Sequence, residues 1–314
     1  MQKLKNHKYL PILILAVLAL TWGSSFILIK KGLIYFTDLE VGALRIAIAF
    51  SVFIPLAIKR RKKITPKHFL YLAIVGFIGS TAPAFLFAKA ETGIDSALAG
   101  ILNSLTPLFT FIISFAFFRY QARWFNMAGL LLALSGAIGL IVISGDGNIA
   151  FNFTYASFVV IATICYAINV NIIHYKLKDL DNITIVTYGF TFAGIPTLFY
   201  LLFFTPFINT LTTGTDALYG LGYIAILGVV GTSFALMIFY YLIQVSNTVF
   251  ASSVTYLIPI VAVIWGVIDG EIFRMSYFLW ISLILFGIYL VNTKKLYPLK
   301  RLKYKVNKQS SGGN

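Results

Sequence analysis

The sequence predicts an all-α integral membrane protein. Ten transmembrane helices form two inverted five-helix repeats, with both termini cytoplasmic. Three observations predict this. Apolar residues fill 59% of the 314 positions and charged residues only 11%, whereas a soluble domain is about 45–50% apolar and about 25% charged. Lys and Arg cluster in alternate connections, the bias that orients membrane spans. A shift of 152 residues also lays one half of the chain on the other.

The spans follow in order. The first, Tyr9–Ile29, starts after Lys3, Lys5 and Lys8. Its apolar run exceeds that of a removable signal and ends in the bulky Ile27, Leu28 and Ile29, without a small-residue cleavage pattern. Glu40–Ile58 carries Arg45 and stops at the basic run from Lys59 to Lys63. Phe69–Ala88 contains Gly76 and Gly79, and Ser96–Phe118 contains Pro107 near its middle. Phe125–Ser144 closes the first half. The second half reads Thr154–Ile173, Ile183–Phe204, Leu218–Ile243, Thr248–Ile268 and Tyr277–Val291, the last gaining reach as Met275–Asn292. At 1.5 Å per residue such runs cross a hydrocarbon layer about 30 Å thick. Helices are required because lipid leaves no partner for open backbone.

Charge placement fixes the orientation. With a cytoplasmic N-terminus, twenty of the 25 Lys and Arg residues lie inside and four (Lys30, Lys31, Lys89, Arg274) outside, with Arg45 within a span. The net charge of +15 therefore reads as anchoring at anionic lipid of a plasma (inner) membrane rather than as a nucleic-acid surface. The chain divides into 1–148, 149–294 and a basic cytoplasmic tail, 295–314. That tail has only Tyr297 and Tyr304 as aromatics, which makes a poor nucleic-acid arm.

Conventional catalytic chemistry finds little foothold. Cys165 is the one cysteine, so no internal disulfide or paired-cysteine site exists. His7, His68 and His174 sit near the ends of apolar runs and form no evident metal cluster. Phosphate-binding glycine loops and zinc-protease motifs are absent. The sequence predicts neither an enzyme nor a cofactor-binding protein, and no pattern decides whether copies of the chain associate.

The repeat is clearest where Tyr71–Gly79 falls on Tyr223–Gly231. Nine of 37 positions are identical from Tyr71 to Pro107, among them Gly76 with Gly228, Gly79 with Gly231 and Pro107 with Pro259. A shift of about 144 sets Trp22 to Ser25 against Tyr166 to Asn169. An odd number of spans per half inverts the second half, the arrangement that suits alternating access around a central site.

Four motifs then carry a family resemblance: Ala19-Leu-Thr-Trp22-Gly-Ser-Ser25-Phe, Ala43-Leu-Arg45, Leu102-Asn-Ser-Leu-Thr-Pro107-Leu-Phe and Gly270-Glu271. In order and spacing the chain resembles the drug/metabolite transporter superfamily, of the EamA type with two homologous five-helix halves, over residues 9–292. The resemblance implies a central cavity formed mainly by spans 1–4 and 6–9, with spans 5 and 10 as buttresses. It also implies solutes that range from amino acids to sugar-linked and phosphorylated metabolites. One departure stands out: Arg119 occupies the place where the family often has the Glu that the second half keeps as Glu271.

The candidate substrate path comprises Trp22, Ser24, Ser25, Arg45, Asn103, Tyr166, Asn169 and Tyr256. Arg45 can bind a carboxylate or phosphate with two parallel hydrogen bonds. Equally, it can snorkel outward or pair with Glu40. Trp22, Ser24 and Ser25 can wall a solute or form a packing stripe. Tyr166 and Asn169 share a helix face and can serve a solute or another helix. Tyr256 is a wall candidate equivalent to Ser104. Pro107 and Pro259 can act as gating hinges or static kinks, their freed carbonyls met by Asn103 and Thr255. The glycine pairs Gly76/Gly79 and Gly228/Gly231 read as close helix contacts.

None of the ten acids lies near a span centre, so a buried-carboxylate proton relay is not expected, although Glu40 or Glu91 could serve a shallow cavity. With one Arg and no central carboxylate, an anionic or zwitterionic solute fits best. The leading expectation is a secondary exporter of a small polar or amphiphilic metabolite such as an amino acid. A carrier of phosphorylated or nucleotide- or lipid-linked sugars is the alternative. A structural or interaction membrane protein without transport is the rival from another class.

Overall fold

The computed structural model describes residues 9–60, 64–117, 123–143, 149–214, 216–245 and 254–292. The tail 295–314, Arg119, the first three lysines and the start of the expected span Thr248–Ile268 lie outside the described residues. All regular elements among the described residues are helical. They are α1 (Leu10–Leu33), α2 (Asp38–Arg60), α3 (Pro66–Gly76), α4 (Ala82–Ala90), α5 (Ser96–Asn103), α6 (Thr106–Phe117) and α7 (Trp124–Ile143). Then follow α8 (Ile149–Lys176), α9 (Asn182–Phe204), α10 (Phe207–Thr213), α11 (Ala217–Gly228), α12 (Ala235–Val245), α13 (Val254–Ile268) and α14 (Ser276–Asn292). Two π-helical segments, Phe77–Thr81 and Val229–Phe234, join α3 to α4 and α11 to α12.

Eight helical stretches are long and apolar enough to cross a membrane, and α13 and α14 are shorter apolar helices at the places of the last two expected spans. The short α10 lies between the expected spans Ile183–Phe204 and Leu218–Ile243 and has no counterpart among them.

Local chemistry sets the helix ends. At α2, Glu40 accepts from the Thr37 amide at 2.9 Å while the Thr37 hydroxyl accepts from the Glu40 amide at 3.3 Å, a reciprocal cap. At α9, Asp181 accepts from the Thr184 amide at 3.2 Å. Beyond α13, Gly270 adopts φ 87°, a left-handed conformation that favours glycine. The Glu271 amide then returns to the Gly266 carbonyl at 2.9 Å, which completes the stop.

The helices pack as recurring pairs: α7 with α14, α2 with α9, α1 with α13, and α8 with α4 and α6. In lipid, apolar burial drives helix association weakly, so small residues and polar ties matter more. At the α7–α14 contact, a Cβ on Gly287 would meet the Ala133 amide at 2.5 Å. Asn126 closes that contact by donating to the Val291 carbonyl at 2.8 Å. Between α6 and α8, Ser114 donates to Asn171 Oδ1 at 2.8 Å. The perimeter is apolar and includes Leu131, Ile138, Phe203 and Phe286, as a lipid-facing surface requires.

Candidate functional site

The two π segments occupy equivalent places in the halves: Phe77–Thr81 falls on residues 229–233 under the 152-residue shift. A π turn inserts an extra residue and disturbs the regular hydrogen-bond ladder. Hydroxyls one position further along take up the carbonyls. Thr232 donates to the Leu227 carbonyl at 3.0 Å, and Ser233 to Gly228 at 3.0 Å and Ala49 at 3.3 Å. In the first half Thr81 reaches the Gly76 carbonyl at 3.4 Å.

The glycines let partners press against these segments. A Cβ on Gly79 would lie 2.3 Å from Asn169 Cγ, and one on Gly231 would lie 3.1 Å from Ser25 Oγ. Asn169 and Ser25 are themselves the residues that the 144-residue shift equates. The structure thus brings the sequence-expected positions Ser25 and Asn169 to matching π segments.

Arg45 meets the second-half segment directly. Its Nε donates to Thr232 Oγ1 at 3.1 Å. Tyr166 lies beside the guanidinium, with its ring stacked on Phe87 at 6.1 Å. The Glu40 alternative is not what the structure shows. Glu40 Oε2 is committed to the Thr37 amide and hydroxyl at 2.9 and 3.0 Å, and among the described residues no carboxylate forms an ion pair with Arg45.

Glu91, just past α4, is buried rather than in a shallow cavity, and neither carboxyl oxygen has a hydrogen-bond partner among the described residues. Burial, then the negative charge of Glu271, push this carboxyl well above the ordinary carboxylate range, with Arg45 and Lys30 pulling the other way.

A lock joins the same end of the two halves. Lys30 lies 2.8 Å from Glu271 and 2.8 Å from Asp269, and Lys31 also pairs with Asp269. Glu271 further accepts from the Ser96 amide at 2.9 Å, the Ser96 hydroxyl at 2.7 Å and the Ala97 amide at 3.0 Å, so it caps α5 from another part of the chain. Burial works to raise the Glu271 carboxyl, but the Lys30, Ser96 and Ala97 hydrogen bonds outweigh it and hold it below its usual range. Lys30 and Lys31 do the same for Asp269 against a smaller buried environment.

Other expected residues make contacts of their own. Ser24 accepts from Trp265 Nε1 at 2.7 Å at the α1–α13 contact. Trp22 packs on Phe239, 5.2 Å between ring centroids. Tyr256 lies against the main apolar cluster. Asn169 borders a cavity of about 50 Å³ with Gly79, Ser80 and Phe190, and its Oδ1 is buried without a partner among the described residues.

The prolines differ from one another. The helix breaks at Ser104 and Leu105, which leaves Pro107 in the first turn of α6, whereas Pro259 sits inside the continuous α13. The Asn103 side chain does not meet the carbonyl freed by Pro107. That carbonyl is Asn103's own, and the Thr106 hydroxyl donates to it at 2.9 Å. Asn103 Oδ1 is instead buried and unpartnered among the described residues.

Sequence reasoning missed Thr232, the lock and the π segments. The available signal was that each glycine pair runs into hydroxyl residues, Gly79-Ser80-Thr81 and Gly231-Thr232-Ser233.

The chain matches the model of the EamA-like transporter family twice, over residues 10–142 and 153–293. It is similar to an uncharacterized transporter of Archaeoglobus fulgidus, 28% identical over 89% of this chain and 98% of that protein. It is also similar to the uncharacterized inner membrane transporter YedA of Escherichia coli K12, 24% identical over 91% of this chain and 92% of YedA. A protein of Streptantibioticus cattleyicolor named "Probable terminal-alkyne amino-acid exporter" is 26% identical over 56% of this chain and 57% of its own. A solved crystal structure shares the fold with a TM-score of 0.60 at 16% identity, over 90% of this chain and 96% of that one.

Proposed function

The chain belongs to the EamA-like transporter family, and from that premise we propose that it is a secondary exporter of a small polar or amphiphilic metabolite, with an amino acid as the best-fitting class. It is a multi-pass protein of the inner membrane. Transport proceeds by alternating access between two inverted five-helix halves whose termini face the cytoplasm.

Packing supports that symmetry. Exchanging the halves turns the α1–α13 contact into α8 against α5 and α6, and turns the α3–α9 contact into α11 against α2. The contacts α2–α9 and α7–α14 map onto themselves, which fits α7 and α14 as buttresses. In this orientation the lock of Lys30 and Glu271 lies on the outer side and holds it closed.

The observation that carries the substrate class is Arg45. Its guanidinium lies at a contact between halves and engages a neutral hydroxyl, Thr232, rather than a protein carboxylate. It is therefore free to take the carboxylate of a solute by charge-assisted hydrogen bonds. The Streptantibioticus relative, named as a probable terminal-alkyne amino-acid exporter, supports the same class.

The test uses purified protein in lipid vesicles loaded with a labelled mixture of amino acids. Efflux should exceed that from empty vesicles, and Arg45→Ala should lower it about tenfold or more, since a hydrogen bond to a charged group contributes about 1.5–3 kcal/mol. Equal efflux from both proteins at equal insertion would contradict the role of Arg45. Absence of any protein-dependent efflux would count against the amino-acid class.

A further inference from the structure

Glu91 is the buried ionisable group that the transport reading leaves unused. It is 8% exposed, and both carboxyl oxygens lack a hydrogen-bond partner among the described residues. A buried carboxylate without hydrogen bonds is costly, and the neutral acid is the cheaper form.

The neighbouring elements bring five charged or titratable groups to this helix end: Lys30 from α1, Arg45 from α2, Tyr155 and Tyr166 from α8, and Glu271 from the loop before α14. Glu40, also on α2, is held by Thr37. Lys89 on α4 itself is turned to Asp38 at 3.4 Å. Two cations therefore act on Glu91, but one of them, Lys30, is committed to Glu271 and Asp269.

We propose that Glu91 is a proton-binding site, occupied while Lys30 is held by Glu271 and emptied when that contact opens. Opening removes the negative neighbour and releases the Lys30 ammonium as a partner for the Glu91 carboxylate. Only the O–H bond breaks, and the proton passes to water on the side that opens. After closure the carboxyl takes up a proton again from the water of the opposite side when that side opens, so that one proton crosses per full cycle. Its coupling to solute movement rests on the transport reading above, whereas proton occupancy does not.

The test is an infrared pH titration of the full chain in lipid. At neutral pH the wild type should show the carbonyl band of a protonated carboxyl, shifted in heavy water and missing from Glu91→Gln. Glu271→Gln should lower the titration midpoint by about one pH unit or more, a tenfold loss of proton affinity. If Glu91→Gln does not fold, the wild-type band and its displacement in Glu271→Gln still decide. A wild type with no protonated band at neutral pH overturns the proposal. So does a band that survives in Glu91→Gln, or a midpoint that Glu271→Gln leaves in place.

Vesicles loaded with a pH-sensitive dye and the amino-acid mixture then test coupling. Wild type should move protons with solute, and Glu91→Gln should exchange solute without them. Equal proton movement in both proteins overturns the coupling. A titrating band in a protein that carries no solute sinks the transport reading and leaves the proton site standing.

Discussion

Lys30 Nζ lies 2.8 Å from Glu271 Oε1, and that carboxyl also caps α5 through Ser96 and Ala97. One carboxylate side chain, 5% exposed, thereby ties the end of α1, the start of α5 and the turn beyond α13. Separation of the halves at this end must break this contact.

Lys30→Met should therefore be costly. It removes the charged partner of a carboxylate that is 5% exposed and leaves it only the Ser96 and Ala97 donors, a loss of about 1.5–3 kcal/mol for a hydrogen bond to a charged group. Lys31→Met should cost far less, because Asp269 keeps Lys30. Thermal unfolding of the two variants in detergent gives the comparison. Equal midpoints would contradict the ranking.

The pH dependence has two opposite signs. Asp269 and Glu271 are held below their ordinary values, so their contribution is present above the usual carboxylate range and is lost as pH falls through the depressed values. Glu91 is raised, so its contribution is present below the usual range and is lost as pH rises through the raised value. Melting measured across pH should show both losses in the wild type. Glu91→Gln should lack the loss on the alkaline side and keep the acid one.

Thr232→Val keeps the shape but removes the partner of Arg45 Nε. Vesicle efflux should fall, and stability should drop by about 1–3 kcal/mol. Thr232→Ser should restore much of both, since its hydroxyl can accept from Arg45. A serine variant no better than the valine variant would assign the effect to packing instead.

Two glycines in apolar helices should respond oppositely to alanine. A Cβ on Gly76 would lie 2.3 Å from the Gly189 carbonyl oxygen, whereas one on Gly222 meets nothing within 4 Å. Gly76→Ala should cost about 1–3 kcal/mol through overpacking. Gly222→Ala should be neutral or stabilising, because alanine favours helix by about 1 kcal/mol. Unfolding of the two variants under one set of conditions decides.

Span positions were legible because apolar runs and basic connections report directly on lipid. The closeness of Gly79 to Asn169 was half legible: the paired glycines marked it, but a π turn depends on how the segment packs, not on composition. The Lys30–Glu271 lock was hidden because its partners are 241 residues apart and each reads locally as an interface charge. Arg45 was visible as an unusual charge, while its partner Thr232 is an ordinary hydroxyl until a π turn aims it.

Export through Arg45 is decided by the metabolite profile, inside and outside, of cells overproducing the wild type beside cells with Arg45→Ala at equal membrane abundance. A carboxylate-bearing metabolite should move outward with the wild type and not with the variant. A broad profile unchanged by the wild type, or an outward flux undiminished in Arg45→Ala, would contradict it.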